Sequence, residues 1–344
     1  KKYHINIAIL SLVFSEYDGI SKVIKQHIKE LMDEGYNVTV FTFESDIASE
    51  YKVKIIWCPI IPLLRRVYHL FFILDIVNFI ICLFNLRGYN IIISHVASMN
   101  WLAYFAKKLY GASFVYYNHE TIIDPNIYQS LIKKIYVKLY RIHYYSIKKA
   151  DLVISISRYS QRLLKKELDV DSVVIYNKID INRFYRELDS LYIRKKYNLG
   201  TSPVILFVGR LSPHKGVHLL IEVFKLVKQR IPDAKLLIVG KPDFNDYYEY
   251  LKKISDNSVI FAGYVPDKEL PYYYAACDIY ATCSLQEGFN LPLIEAQACG
   301  KPVVAFDIGP HREVVGYGYV VDVMDLEKFS NKIVELLNMS ERKI

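Results

Sequence analysis

Glu287-Gly288-Phe289-Asn290-Leu291-Pro292-Leu293-Ile294-Glu295 is the stretch on which the reading turns. The apolar run Asp278 to Cys283 leads into it as a strand. A helix-like run ending at Gly300 follows, and then a second strand, Lys301 to Phe306. Pro292 suits the first helical position and Gly300 the stop. Glu287 therefore lies in a strand-to-helix loop, and Glu295 on the opening turns of a helix. In an open parallel sheet such a loop sits at the carboxyl end of the strands, where ligands bind. The helix start offers unpaired N–H groups to an anion. One carboxylate beside that site and one a turn inside it suit a phosphate with a polyhydroxylated group on each side.

Strand and helix patterns alternate outward from this stretch in both directions. The first half predicts strands at 4–10, 37–43, 53–57, 90–95, 113–118, 151–155 and 172–176, and helices at 20–34, 66–85, 100–110, 128–149 and 157–168. The pattern restarts at Val204–Gly209, with strands at 234–239, 258–262, 278–283, 301–306 and 319–321 and a last helix near 325–338. Near-continuous apolar strands separated by helices indicate doubly wound parallel sheets. The polar stretch Asn177 to Gly200 reads as the linker, giving domains at 1–185 and 186–344. Two Rossmann-like α/β halves facing each other across a cleft are the expected architecture. Neither half carries a GxGxxG, so a nicotinamide or flavin site has no local support.

The 344 residues are enough for two domains, and 52% are apolar, enough for two cores. The five cysteines are scattered without a CxxC pair and read as core residues of a reducing compartment. The run Ile5 to Phe14 soon meets Glu16 and Asp18, and so reads as a first strand, not a signal peptide. Charge is uneven. Residues 51–150 hold 13 Lys/Arg against 3 Asp/Glu, while residues 201–344 hold 16 against 18. The excess in the first half points to an anionic partner of that half. Nucleic acid is disfavoured, because no recognition motif accompanies the charge.

Val204 to Gly209 ends in Arg210-Leu-Ser-Pro-His-Lys215-Gly216 and then a helix. Two cations at the end of one strand can clamp a diphosphate from one side while the helix after Asn290 holds it from the other. The bland alternative is that each simply pairs with a surface acid. With the glutamates, one domain offers cations, a helix start and two carboxylates. The segments Val208 to Gly216 and Glu287 to Val304 resemble the donor-site motifs of the family-4 retaining glycosyltransferases, which have the two-domain GT-B fold. Gly263-Tyr-Val-Pro-Asp-Lys-Glu-Leu270, Ala150 to Ser157 and Asn177-Lys-Ile-Asp180 extend the resemblance.

That resemblance implies that Arg210 and Lys215 bind the diphosphate of a nucleotide-sugar donor, with no metal and no other cofactor. It implies Glu295 on the ribose hydroxyls and Glu287 on the transferred sugar. The backbone of Phe289, Asn290 and Leu291 would lie near sugar and phosphate, the base near the Gly240–Lys241 and Tyr264–Val265 loops, and Gly209 among the donor-binding residues. Gly19, in the loop before the first helix, would let backbone approach the phosphates, and His119 would contact the donor sugar. Asn177-Lys178 stands where the family commonly has Asn-Gly. The chain begins without Met and stops at Ile344, ahead of the final helix usual in the family, so a shortened chain is expected. The rivals are a sugar-nucleotide 2-epimerase on the same fold and a non-catalytic sugar-nucleotide-binding protein.

The acceptor is expected to be a glycan or polyprenyl-linked glycolipid at the cytoplasmic membrane face. On a helical projection of 128–149, Lys134, Lys138, Arg141, Lys148 and Lys149 fall within roughly a 100° arc, opposite Ile132, Ile135, Tyr136, Leu139 and Ile142. This is either a solvated basic face or peripheral contact with anionic lipid. Val67 to Leu86 has 16 apolar residues of 20. Asp75 near its middle argues against a span, since a central Asp costs roughly 2.5–3.5 kcal/mol. A buried crossover helix is the first expectation and partial insertion of an exposed apolar face the second.

Overall fold

The computed structural model describes residues 5–16, 18–119 and 131–341. The chain divides into two compact units, Lys1–Lys178 and Ile179–Ile344.

The first unit holds strands β1 (Asn6–Leu10), β3 (Asn37–Thr42), β5 (Val53–Ile55), β6 (Ile91–Ser94), β7 (Ser113–Asn118), β8 (Leu152–Ser155) and β9 (Val173–Val174), with a small parallel pair β2 (Val13–Phe14) and β4 (Glu44–Ser45) beside them. The main sheet is parallel, in the order β5-β3-β1-β6-β7-β8-β9. The second unit holds β10 (Val204–Val208), β11 (Lys235–Val239), β12 (Val259–Gly263), β13 (Ile279–Thr282), β14 (Val303–Phe306) and β15 (Gly318–Val321), parallel in the order β12-β11-β10-β13-β14-β15. Both sheets are covered on two faces because successive side chains point opposite ways. Ile205 and Phe207 join one core layer, Val204 and Leu206 the other. In the first unit Ala8 and Leu10 face one layer, Ile7 and Ile9 the other.

The strand order decides where chemistry can gather. Winding reverses between β1 and β6 in the first sheet and between β10 and β13 in the second. Loops leaving two adjacent strands in opposite directions open a crevice at their carboxyl ends. In the second unit these are the loops after β10 and β13, which carry Arg210–Lys215 and Glu287–Asn290. Helix α11 (Leu291–Ala298) starts at Asn290 in left-handed backbone with Pro292 in its first turn.

Three expectations change. Gly19 is the first residue of helix α1 (Gly19–Asp33) and not part of a loop. The Asp18 carboxylate caps that helix by accepting from the Ser21 N–H at 2.9 Å, and a Cβ on Gly19 would meet nothing within 4 Å. The segment Val67 to Leu86 is not one crossover helix. It forms α2 (Pro62–Phe71), a 3₁₀ turn and α3 (Ile76–Asn85), with the pair bent by 78°. Asp75 makes the break: its carboxylate accepts from the Asn78 N–H at 3.1 Å, capping α3, and from the Tyr68 hydroxyl at 2.8 Å. The projection over 128–149 fails in part as well. Residues 128–130 lie outside the described residues, as does the Ile132 side chain. An α-helix, Leu131–Tyr140, gives way to a 3₁₀ helix, Arg141–Lys149, whose period is three and not 3.6. Ile135, Tyr136 and Ile142, expected to pack inward, are exposed. Lys178 shows no left-handed backbone, so the position held by glycine in the resembling family is unstrained here.

Two glycines make a paired prediction. Gly216 has φ +64°, and a Cβ there would lie 1.9 Å from the Cys283 carbonyl oxygen. Gly216→Ala should cost at least about 2 kcal/mol and lower the thermal midpoint by several degrees. Gly19→Ala should leave the midpoint unchanged or raise it slightly. Calorimetric melts of the two variants check both.

Candidate active site

Backbone packing brings the second unit's two crevice loops together. The Leu285 N–H donates to the His214 carbonyl at 2.8 Å, and Gly216 abuts Cys283. Lys215 thereby meets Glu287: its ammonium donates to both carboxylate oxygens, at 2.7 and 2.8 Å. The side chains are 19% and 8% exposed. Burial alone would raise the Glu287 carboxyl. The Lys215 charge and hydrogen bonds, with a further bond from Ser284, outweigh it and hold the group below its ordinary range. The site is thus a nearly buried ion pair, with the Glu287 carboxylate ionised at neutral pH.

Arg210 is placed differently. Its side chain is 62% exposed and pairs with the Asp243 carboxylate at 3.3 Å. The Leu211 N–H donates to the Lys241 carbonyl and the Asp243 N–H to the Leu211 carbonyl, which sets Asp243 beside Arg210. Gly240 permits this approach, because a Cβ there would lie 1.8 Å from the Gly209 carbonyl oxygen. His214 feels the charges of Lys215, Glu287, Arg210 and Asp243 together, so all four surround one imidazole. Burial and Lys215 push that imidazole below its ordinary pKa. The bland reading of Arg210 and Lys215 as cations paired with acids is half right: Arg210 pairs weakly at the surface, but Lys215 pairs with a residue of the candidate site itself.

The start of α11 is braced from below. The Asn290 amide donates to His311 Nε2 at 3.0 Å, and His311 Nδ1 donates to the Phe306 carbonyl at 2.7 Å. The carbonyl can only accept, so the proton sits on Nδ1 and burial keeps the ring neutral. Phe289 is buried and Leu291 half-buried beside Asn290. Glu295 is 2% exposed and accepts the Tyr274 hydroxyl at 2.6 Å. Val265 lies in the core near it, and Gly240 donates to the Gly263 carbonyl at 2.8 Å.

In the first unit, His119 follows β7 and joins an aromatic cluster. The rings of Tyr117, His95 and His119 pack as a triangle, with centroids 5.2 Å (Tyr117–His95), 5.0 Å (Tyr117–His119) and 5.0 Å (His95–His119) apart, and His27 tilts against Tyr117 at 4.7 Å. His95 Nδ1 and His119 Nε2 are 2.7 Å apart and share one proton-bearing contact. Burial drives the three imidazoles down, His27 to about 4 and His119 to about 3; repulsion from neighbouring imidazoles adds to it at His95 and His119, while at His27 the Lys178 charge adds to it and Glu30 opposes it. His95 Nε2 and the Tyr117 hydroxyl are buried without a partner among the described residues. His95 was readable as a strand-end histidine, like His119, but was missed. Asp243, Tyr274 and His311 were missed because their partners come from distant loops. Glu120, which follows His119, lies outside the described residues.

Each half of the chain matches a family: residues 17–183 match Glycosyltransferase Family 4, and residues 189–343 match Glycosyl transferases group 1. The chain belongs to the family-4 glycosyltransferases. The chain is 31% identical over 206 residues to the GDP-mannose-dependent alpha-(1-6)-phosphatidylinositol monomannoside mannosyltransferase of Mycolicibacterium smegmatis, covering 55% of this chain and 53% of that protein. The chain spans about half the length of the curated relatives it matches. Sucrose-phosphate synthase from Thermosynechococcus elongatus superimposes with a TM-score of 0.82 at 21% identity, over 97% of this chain and 90% of that one. HepE from Anabaena, solved in complex with UDP-glucose, gives 0.80 at 22% identity, over 99% and 91%. At these identities the likeness is one of fold, and the fold is GT-B.

The histidine cluster makes stability pH-dependent. A histidine whose folded pKa lies below its ordinary 6.5 contributes stability above pH 6.5 that is lost as pH falls toward the folded value. The urea midpoint of the first unit should therefore fall between pH 6.5 and about 4. His27→Gln should flatten that slope; an unchanged slope would mean that the cluster titrates normally.

Proposed function

We propose that this chain is a retaining hexosyltransferase that moves a hexose from a UDP- or GDP-linked donor to a glycan or lipid-linked acceptor at the cytoplasmic face of a membrane, without a metal. The observation that carries the reading is the Lys215–Glu287 pair, with exposed Arg210, at the winding reversal of the second sheet. A nucleotide sugar brings a diphosphate and a ring of hydroxyls. The diphosphate attracts Arg210, which has little to give up at Asp243, and shares the Lys215 ammonium. The sugar hydroxyls donate to Glu287, which Lys215 keeps ionised and therefore acceptor-only. The backbone N–H groups at Phe289, Asn290 and Leu291 face the same phosphate from the start of α11. Glu295, oriented by Tyr274, takes the ribose hydroxyls.

The reaction breaks the bond between the anomeric carbon and the phosphate oxygen, and forms one from the acceptor oxygen to the same face of that carbon. The acceptor proton passes to the departing phosphate oxygen. Charge accumulates on the diphosphate, where Arg210 and Lys215 stabilise it. Glu287 is held by two hydrogen bonds from Lys215, an arrangement for binding and not for nucleophilic attack. His119, neutral through burial, can accept from or donate to a sugar hydroxyl without bringing charge. The GDP-mannose donor named for the mycobacterial relative and the UDP-glucose in the Anabaena complex both belong to the donor class this chemistry accepts.

Arg210→Ala should lower kcat/KM by roughly 10²-fold or more and leave the thermal midpoint unchanged, because the side chain is exposed. Lys215→Ala should lose activity and also stability, by about 3–5 kcal/mol, because it strands a nearly buried carboxylate. Transfer should persist in EDTA. Product analysis with UDP- and GDP-hexoses and a polyprenyl-linked glycan acceptor checks this; near-normal turnover in both variants would overturn the diphosphate role.

A further inference from the structure

Helix α3 carries apolar side chains on two opposite faces, with Asn78 and Asn85 along one edge between them. Phe79, Cys82 and Leu83 pack into the first unit's core, as one face of a helix beside a sheet should. Val77, Ile80, Ile81 and Phe84 recur at three- and four-residue spacing on the other side. All four are exposed, Val77 to 71% and Phe84 to 66%. A surface helix of a soluble domain normally carries polar side chains there. Before the bend, α2 likewise exposes Leu64, Val67 and Phe71 at similar spacing. Scattered exposed apolar residues need no explanation, but a contiguous ridge does.

The surroundings identify what would cover it. The ridge belongs to the stretch 51–150, with its 13 basic against 3 acidic residues. The Arg141–Lys149 segment is fastened to α2 by His143, whose Nε2 donates to the Leu70 carbonyl at 2.8 Å. That segment exposes Tyr145, Lys148 and Lys149. Trp57, also exposed, packs edge-on against Tyr68 of α2, with ring centroids 5.8 Å apart. Apolar ridge, basic flank and amphipathic aromatic are the three ingredients of a helix that lies in a lipid interface. Among the described residues no single helix is long and apolar enough to cross a bilayer, and the α2–α3 pair is bent by 78°. At the bend the Asp75 carboxylate is occupied by hydrogen bonds from the Tyr68 hydroxyl and the Asn78 N–H.

We propose that the α2–α3 face docks in plane on an anionic lipid bilayer, the ridge entering the acyl boundary while Lys148 and Lys149 meet the headgroups. Asp75 breaks what would otherwise be one long apolar helix into two short ones that can lie flat. The docking surface stands independently of the transfer reaction.

The full chain is mixed with vesicles of phosphatidylcholine alone and with phosphatidylglycerol added, without donor. Co-flotation should favour the anionic vesicles by about tenfold or more. Tryptophan emission should shift to the blue, and the shift should vanish in Trp57→Phe. Val77→Ser with Ile81→Ser should abolish flotation without changing the melting curve, since both side chains are exposed. Lys148→Glu with Lys149→Glu should remove the preference for anionic lipid. Failure of the parent chain to float with either vesicle overturns the proposal. So does flotation unaffected by the serine pair, or a concentration-dependent dimer in sedimentation that the serine pair dissolves. Nucleoside-diphosphate binding, followed in parallel by thermal shift, reports on the donor site separately, so either reading can fail alone.

Discussion

An ammonium locked onto a carboxylate between two loops is the contact on which the second unit's site depends. Lys215 and Glu287 are 72 positions apart in sequence and meet because β10 and β13 are neighbours in the sheet. Two elements bring them that close: the left-handed Gly216, which lets the loops touch backbone to backbone, and the Leu285–His214 hydrogen bond. A pair this buried is costly to desolvate and adds little net stability. Its use is electrostatic. It keeps Glu287 ionised where burial would otherwise protonate it, and it stores a cation beside the place where an anion would arrive. Arg210, exposed and paired with Asp243, is the second cation of the same arrangement.

The first unit is built on a different balance. Its crevice side presents neutral imidazoles stacked on tyrosine, with buried polar atoms that have no partner among the described residues, where the second unit presents fixed charge. Neutral groups that can both donate and accept suit hydroxyl-rich molecules, and they exert no pull on a phosphate. Elsewhere on the unit lies the apolar ridge of α2–α3, flanked by lysines. A chain that combined these would hold an activated donor by charge and meet an acceptor near lipid by hydrophobic contact.

Much of this was legible in the sequence, for a physical reason. Strands buried on both faces are continuous apolar runs, so β10 to β15 stand out to within a residue or two, and the loops after them can be placed. Arg210, Lys215, Glu287 and Asn290 were found because they sit in those loops. What was not legible depended on which strands are neighbours or on a local competition. Asp243, Tyr274 and His311 reach the site from loops and helices whose adjacency only the strand order reveals. Asp75 reads in sequence as a polar interruption of a crossover helix; in three dimensions it is a cap that ends one helix and starts another. The basic face of 128–149 was projected at the α-helical angle, which the 3₁₀ geometry of Arg141–Lys149 does not follow.

The central claim is that the Lys215–Glu287 and Arg210 cluster is a receptor for a diphosphate joined to a sugar. Titration calorimetry in EDTA, comparing nucleoside diphosphates with the matching monophosphates, tests it most directly. The account predicts that one diphosphate binds at least about tenfold more tightly than its monophosphate, a charge-assisted contact of ~1.4 kcal/mol or more, and that Arg210→Ala erases the difference. Equal affinity for mono- and diphosphate in the parent chain would contradict it.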